Sequence, residues 1–397
     1  MSGPLTGLKV LSFCRALAGP FADMILGDLG AEVIKIEDPK GGDSTRNGHP
    51  KINGISSYFL SVNRGKKSIT IDLKKEQGKK LVFDLVKESD ILVENFRPGV
   101  MKRLGLDYEM VRNINPKIVY ASISGFGQTG PYSQRTAYDM IAQGMGGVVS
   151  ITGPEDPEAP AVRVGYSIGD MAAGLYGVIA IQAAYIESLK SGQGQWVDVA
   201  MLDSQVALCE NAFVRYMATG KIPKPEGSRH PLATPFQIYQ TKDKPIIVIA
   251  NNPKFWGNFC RAAGKEGWIN HERYGTRDLR LNHYQEFNKE MMELMKSRTY
   301  KEWVERFDAQ EVMWGPVNNM EDLSRDPHIQ ARGMIVEVEH PQAGKHKLIG
   351  TPMKFSRTPC RITRGAPELG ADTKEILINR LGLSEGDMEG LKKDEVI

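Results

Sequence analysis

The chain has 397 residues, 41% of them hydrophobic and 25% charged, with a net charge of +3. That composition is globular, with apolar material for one large core or two smaller ones, and so mild and dispersed a charge excludes nucleic acid or a membrane surface as the expected partner. The four cysteines, Cys14, Cys209, Cys260 and Cys360, form no C-x-x-C pair, which excludes a disulfide framework or a zinc site and points to a reducing compartment.

In chain order, the opening "MSGPLTGLKVLSF" has no basic start before a long apolar run and does not read as a secretory signal. The segments "LKVLSF" (8–13), "AEVIKIE" (31–37), "KSITIDL" (67–73), "DILVEN" (90–95) and "KIVYASIS" (117–124) predict strands. Between them, "PFADMILGDLG" (20–30) and "EQGKKLVFDLVKES" (76–89) carry helical spacing. Strand and helix in alternation predict an α/β fold with a mainly parallel sheet covered on both faces, and ligands at the carboxyl ends of its strands. The apolar run Met171 to Ile181 ends at Gln182, short of the roughly 20 residues that span a bilayer; a cytoplasmic protein is expected. A further helix is expected from Leu202 to Phe213, and the Gly/Pro-rich "TGKIPKPEGSRHPLATP" (219–235) is the best domain boundary. After it come a strand, "IIVIANN" (246–252), and three helical patterns, "PKFWGNFCRAAG", "HYQEFNKEMMELMKSR" and "TYKEWVERFDAQ". The expected division is a first domain over 1–219, a small α+β domain over 220–325, and a tail, 326–397, with a proline-rich loop and a short helix.

Two candidate nucleophiles lie three positions apart in "VRVGYSIGDMAAGLYG" (162–177). Ser167 sits in a G-x-S-x-G with strand-like residues before it and a helical pattern after it, the context of a hydrolase elbow. Its weakness is downstream: the later histidines lie in loop-like or polar segments, and no oxyanion loop of the HGGG type is present. Asp170, opening the helix, is on spacing alone an ordinary N-terminal acid; desolvated beside a ligand, it is also a carboxylate that attacks carbonyls. "SGFGQTG" spells G-x-G-x-x-G with Gly125, Gly127 and Gly130, but late in the strand series and with no acid at the end of the next strand, so it reads as a close-approach turn rather than a dinucleotide loop.

The whole chain, taken in order, resembles the class III coenzyme A transferases (CaiB/BaiF type), the family of the formyl-CoA:oxalate and carnitine enzymes. The resemblance is carried by "PLTGLKVLSFCRALAGPFADMILGDLGAEVIKIEDPKGGDSTR", "VNRGKKSITIDLK", "DILVENFRPGVMKRLGL", "SGFGQTGPYSQRTAYDMIAQGMGG", "GQGQWVDVAMLDS", "GTPMKFS" and "APELGADTKEIL". It implies a Rossmann-like large domain built from both chain ends, a small middle domain and two interlocked chains, as a homodimer or with a paralogous subunit. It places the catalytic carboxylate on Asp170, with acyl anhydride and aspartyl-CoA thioester intermediates, no metal, and no cofactor beyond the CoA thioester substrate. Oxyanions are then expected against backbone amides near Gly169 and the helix start.

The same resemblance carries CoA binding onto Ala16, Leu17, Ala18, Leu73, Lys74, Asn95, Phe96, Arg97, Arg103 and Asp139, with the arginine forks suited to phosphate. Asp38 stands where formyl-CoA transferases have a basic CoA contact, and Lys35, Arg46 or Arg64 is expected to replace it. Leu17 replaces a polar contact of some members, and "EGSRHPLATP" replaces a tetraglycine lid. The related racemases carry "GHD" where this chain has Ala137-Tyr138-Asp139, so one of their two proton-transfer groups is missing. That favours transfer over racemisation and leaves an intramolecular CoA shift, an isomerase reaction, open. The look of "SYFLSVNRGKKSI", "GPVNNMEDL" and "MIVEVEHPQAGK", together with Arg163 and Arg229, implies succinyl-CoA or another dicarboxyl-CoA as donor and a carboxylic acid as acceptor.

Overall fold

Six short runs of β-branched and aliphatic residues pair side by side: β1 (Lys9–Ser12), β2 (Glu32–Glu37), β3 (Lys67–Thr70), β4 (Ile91–Glu94), β5 (Val119–Ser124) and β6 (Trp196–Ala200). All neighbours are parallel, in the order β3-β2-β1-β4-β5-β6, with Val10 between Val33 and Ile91. The structure, a computed structural model, describes residues 3–362 and 364–397; the first two residues of the N-terminal segment and Thr363 of the tail fall outside the described residues. The order reverses between β1 and β4, which opens a crevice at the carboxyl ends of those two strands.

The helices that matter to the site are α1 (Ala18–Asp28), α2 (Ser57–Val62), α3 (Glu76–Lys87), α4 (Asp139–Met145) and α5 (Ile168–Ser191). One core cluster joins one face of the sheet to α1 and α5 through Val10, Ala22, Leu26, Val93, Ala173 and Ile181. A second joins Leu11, Ile69, Leu92 and Tyr120 to α3 and to Ile376, Leu377 and Val396 of the C-terminal tail. Burial of both faces explains why β1 to β5 read as near-continuous apolar runs. Strand β6 has no such signature: Trp196 and Asp198 on this edge strand are exposed. The expected helix from Leu202 is two helices, α6 (Met201–Leu208) and α7 (Glu210–Thr219), broken at Cys209, whose amide is shared between the carbonyls of Gln205 and Val206. Helix α5 is long and apolar enough to cross a membrane by length and composition; here its small residues pack on α1, and a Cβ on Gly174 would lie 2.9 Å from the Ala18 carbonyl oxygen.

The chain forms two compact units, one of 1–149, 163–220 and 327–397, the other of 150–162 and 221–326. The stretch expected as continuous over 1–219 is therefore interrupted by Ser150–Val162. The tail is held to β3 by Ser68, whose amide donates to Asp372 Oδ2 and whose carbonyl accepts from the Asp372 amide, both at 2.9 Å. The second unit has an antiparallel sheet of β7 (Phe236–Gln240), β8 (Pro245–Ile249) and β9 (Met313–Pro316), and packs Trp256, Phe259, Phe287, Trp303 and Phe307 into its own core.

Candidate active site

The carboxyl ends of β1 and β4 carry two loops that lock together. Asn95 Oδ1 accepts from the Arg15 amide and its Nδ2 donates to the Arg15 carbonyl, both at 2.8 Å. Ala16 follows with φ 63°, a conformation that a side-chain-bearing residue adopts only when its surroundings impose it. They do: the buried Lys35 ammonium donates to the Cys14 carbonyl at 2.5 Å and to Asp43 Oδ2 at 2.9 Å, while Asp43 Oδ1 accepts from the Ala16 amide at 3.3 Å. The loop ends at Leu17 and Ala18, where α1 begins.

Asp170 lies in the first turn of α5, facing that loop, and accepts a hydrogen bond from the Ala18 amide. A carboxylate at a helix start is ordinarily stabilised by the free amides and the helix dipole. Here the opposite holds: burial first, and the charge of Asp139 second, push Asp170 up to about 7 against the pull of the Ala18 bond. The helix-start amides are already engaged, since Ile168 N donates to the Tyr166 carbonyl and Gly169 N to Asp139 Oδ1, each at 2.8 Å. The Gly169 amide, expected near the oxyanion, is bonded to Asp139 in this state. Tyr58 on α2 faces the same acids, and burial, then Asp170, Asp43 and Asp139, push its hydroxyl up to about 12.

Ser167 precedes the helix and its side chain makes no capping bond. The rings of four histidines bond to local backbone: His230, His271 and His340 each accept from an amide two residues on, and His346 pairs with the Gly344 carbonyl. Gly125 of the G-x-G-x-x-G turn backs onto Ala137, where a Cβ would meet the Ala137 Cβ at 2.3 Å, so close approach is its role.

The residues expected around CoA follow the strands at the same edge of the sheet: Ala16, Leu17 and Ala18 after β1, Leu73 and Lys74 after β3, Asn95, Phe96 and Arg97 after β4, and Asp139 after β5. Phe96 and Leu73 rest partly buried against the second core cluster, and the Arg15 guanidinium lies 5.3 Å over the Phe96 ring. Lys74, Arg97 and Arg103 are exposed. Arg97 and Lys102 line a cavity of about 310 Å³ floored by Glu94. Burial pushes the Glu94 carboxyl up to about 7, although Ser122 and the Phe96 amide bond to it. None of the three cations expected to replace the lost contact at Asp38 is free. Lys35 is spent on Asp43, Arg46 on Glu37 at 2.8 and 2.5 Å, and Arg64 on Asp28 at 3.1 and 2.6 Å. Arg229, in the second unit, is paired with Glu226, whereas Arg163, among the described residues, donates only to a backbone carbonyl. The residues that sequence reasoning missed are Tyr58, Glu94 and Gln143; only the i,i+4 spacing of Asp139 and Gln143 in "AYDMIAQG" hinted at one of them. Among the described residues no group of three His, Cys, Asp or Glu side chains is placed to hold a metal.

Comparison with known proteins places these features in context. The sequence pattern of CoA-transferase family III matches residues 5–373. Human succinyl-CoA:glutarate CoA-transferase is 40% identical over 375 residues, 94% of this chain and 85% of that one. Succinate–glutarate CoA-transferase of Agrobacterium fabrum is 38% identical, covering 94% of this chain and 95% of its own. The crystal structure of a CaiB/BaiF family protein from Brucella suis superposes with a TM-score of 0.85 at 36% identity, over 96% of this chain and all of the other.

Proposed function

The chain belongs to CoA-transferase family III, and we propose that within it the protein moves CoA from succinyl-CoA, or another dicarboxyl-CoA, to an acceptor carboxylic acid. The similarity to two succinate–glutarate enzymes supports the choice of donor. Arg15 and Arg163, both exposed and without an ion pair among the described residues, are the cations we assign to the distal carboxylate.

The observation that carries the mechanism is the state of Asp170: half-buried, faced by an acid rather than a cation, and raised to about 7. An Asp170 oxygen attacks the thioester carbonyl, forming a C–O bond as the C–S bond breaks, and the thiolate leaves. The thiolate then attacks the Asp170 carbonyl of the resulting anhydride, giving an aspartyl-CoA thioester and free donor acid. The acceptor carboxylate reverses these two steps and Asp170 is regenerated. A desolvated carboxylate is the better nucleophile, and the same exclusion of water protects the anhydrides. The Ala18 amide, bonded to the resting carboxylate, and the Tyr58 hydroxyl are the donors we assign to the developing charge. Ala16, Leu17, Ala18, Leu73, Lys74, Asn95, Phe96, Arg97 and Arg103 hold CoA, with Asp139 behind the thioester end.

We also assign an interlocked homodimer. The outer face of α5 exposes Leu175, Ile179 (60%), Ile186 and Leu189 (68%), a stripe that water alone disfavours. The unpaired cysteines support a reducing, cytoplasmic setting. The test is a transfer assay across mono- and dicarboxylic acyl-CoA donors and acids, with the mass in solution measured by light scattering. Succinyl-CoA active with a dicarboxylate acceptor, and a dimer, are expected; activity confined to monocarboxylic acyl-CoA, or a monomer, contradicts the respective assignment.

A further inference from the structure

Helix α4 begins at Asp139, and one turn on, Gln143 lies wholly buried. Gln143 Nε2 donates to Asp139 Oδ2 at 2.7 Å and its Oε1 accepts from the Val164 amide at 2.9 Å. Asp139 Oδ1 accepts from the Gly169 amide at 2.8 Å. This approach requires glycine at 169: a Cβ there would sit 3.0 Å from Asp139 Oδ1 and 3.3 Å from the Ala142 Cβ. Both oxygens of Asp139 are thus held by neutral donors, and among the described residues no cation pairs with it. The arrangement pins 164 and 169, the two sides of the turn that presents Asp170.

We propose that Asp139, oriented by Gln143, is a positioning and activating residue for the attacking carboxylate: it removes the Gly169 amide from Asp170's reach and holds a second negative charge beside it. The proposal rests on Asp170 being the attacking group. Before attack two carboxylates share the site. When the Asp170 C–O bond forms and the C–S bond breaks, the electron pair departs with the thiolate, so Asp170's charge and its repulsion with Asp139 are both lost. A repulsion present in the ground state and relieved along the reaction lowers the barrier. The groups that face Asp170 are Asp139 from α4, Tyr58 from α2 and the Ala18 amide from α1, with Asp43 beyond Tyr58. Tyr58 stays neutral over the working range, so the attacking form appears as Asp170 loses its proton.

The test is the rate at which succinyl-CoA labels the Asp170 peptide, followed by quenched mass spectrometry from pH 5.5 to 9, in the wild type, Asp139→Asn and Asp139→Glu. The wild-type rate should be half-maximal near pH 7. In Asp139→Asn the midpoint should fall by about one pH unit or more, as loss of a like charge dictates. Its plateau rate should drop about three- to tenfold, because the weaker base is the weaker nucleophile. Asp139→Glu, which restores the charge, should return the midpoint towards the wild-type value. A midpoint unmoved in Asp139→Asn, with only the rate reduced, leaves Asp139 a structural residue and overturns the proposal alone. No Asp170 label in the wild type removes the proposal together with the reading beneath it. Should Asp139→Asn not fold, the same labelling in Asp139→Ser decides: a midpoint lowered by about one pH unit supports the proposal, and a midpoint left at the wild-type value overturns it.

Discussion

Two groups of carboxylates in the larger unit are treated in opposite ways. Around β1 and β2, Asp28, Glu37 and Asp43 each meet a cation, Arg64, Arg46 and Lys35, at 2.9 Å or closer. Burial alone would raise Glu37 and Asp43, but the bonds and charges of Arg46 and Lys35 win and hold both below the usual carboxylate range. Around α4, α5 and β4, Asp139, Asp170 and Glu94 meet amides, hydroxyls and each other, and burial keeps Asp170 and Glu94 up at about 7. Matched buried charges hold the Cys14–Ala18 loop in a strained shape; unmatched ones carry proton affinities suited to chemistry at neutral pH.

Breaking the unmatched side has the largest effect. Asp170→Ala should lower CoA transfer by about 10⁴-fold or more, as loss of a nucleophile does, measured by steady-state assay with the fold checked by circular dichroism. Breaking the matched side comes next: Lys35→Met leaves Asp43 buried without its cation, and should cost about 3–5 kcal/mol in urea unfolding. The unmatched side should give the reverse sign. Because Asp170's folded value, about 7, lies above its ordinary value, its contribution to stability is complete below that ordinary value and is lost as pH rises through 7. Asp170→Asn should therefore stabilise the fold by about 2–4 kcal/mol at pH 8 and by nothing at pH 4; equal melting temperatures at pH 8 would remove the account of Asp170's environment. The smallest change is Ser167→Ala, expected to alter transfer less than about tenfold, since a nucleophile's loss costs orders of magnitude more.

What was legible in the sequence follows the same division. Strands β1 to β5 and helices α1 and α3 announce themselves because both faces of the sheet are covered, so their apolar runs are unbroken. Strand β6 does not, because its edge position leaves Trp196 and Asp198 outside. Asp170 could be read only through the company of the long motifs around it; on spacing alone it was a helix cap. The partners that set its behaviour were hidden, because Asp139 meets Gly169 across 30 positions and Asn95 meets Arg15 across 80. Lys35, Arg46 and Arg64 misled for the converse reason: a cation in the sequence carries no sign of the buried acid that neutralises it.

The central claim is that Asp170, and not Ser167, takes the acyl group and then CoA. Intact-mass spectrometry of the protein mixed with succinyl-CoA, followed by peptide mapping, tests it directly in the wild type, Asp170→Ala and Ser167→Ala. The account predicts an acyl or CoA adduct on the Asp170 peptide in the wild type and in Ser167→Ala, and none in Asp170→Ala. An adduct on Ser167, or no adduct with any thioester, would contradict it.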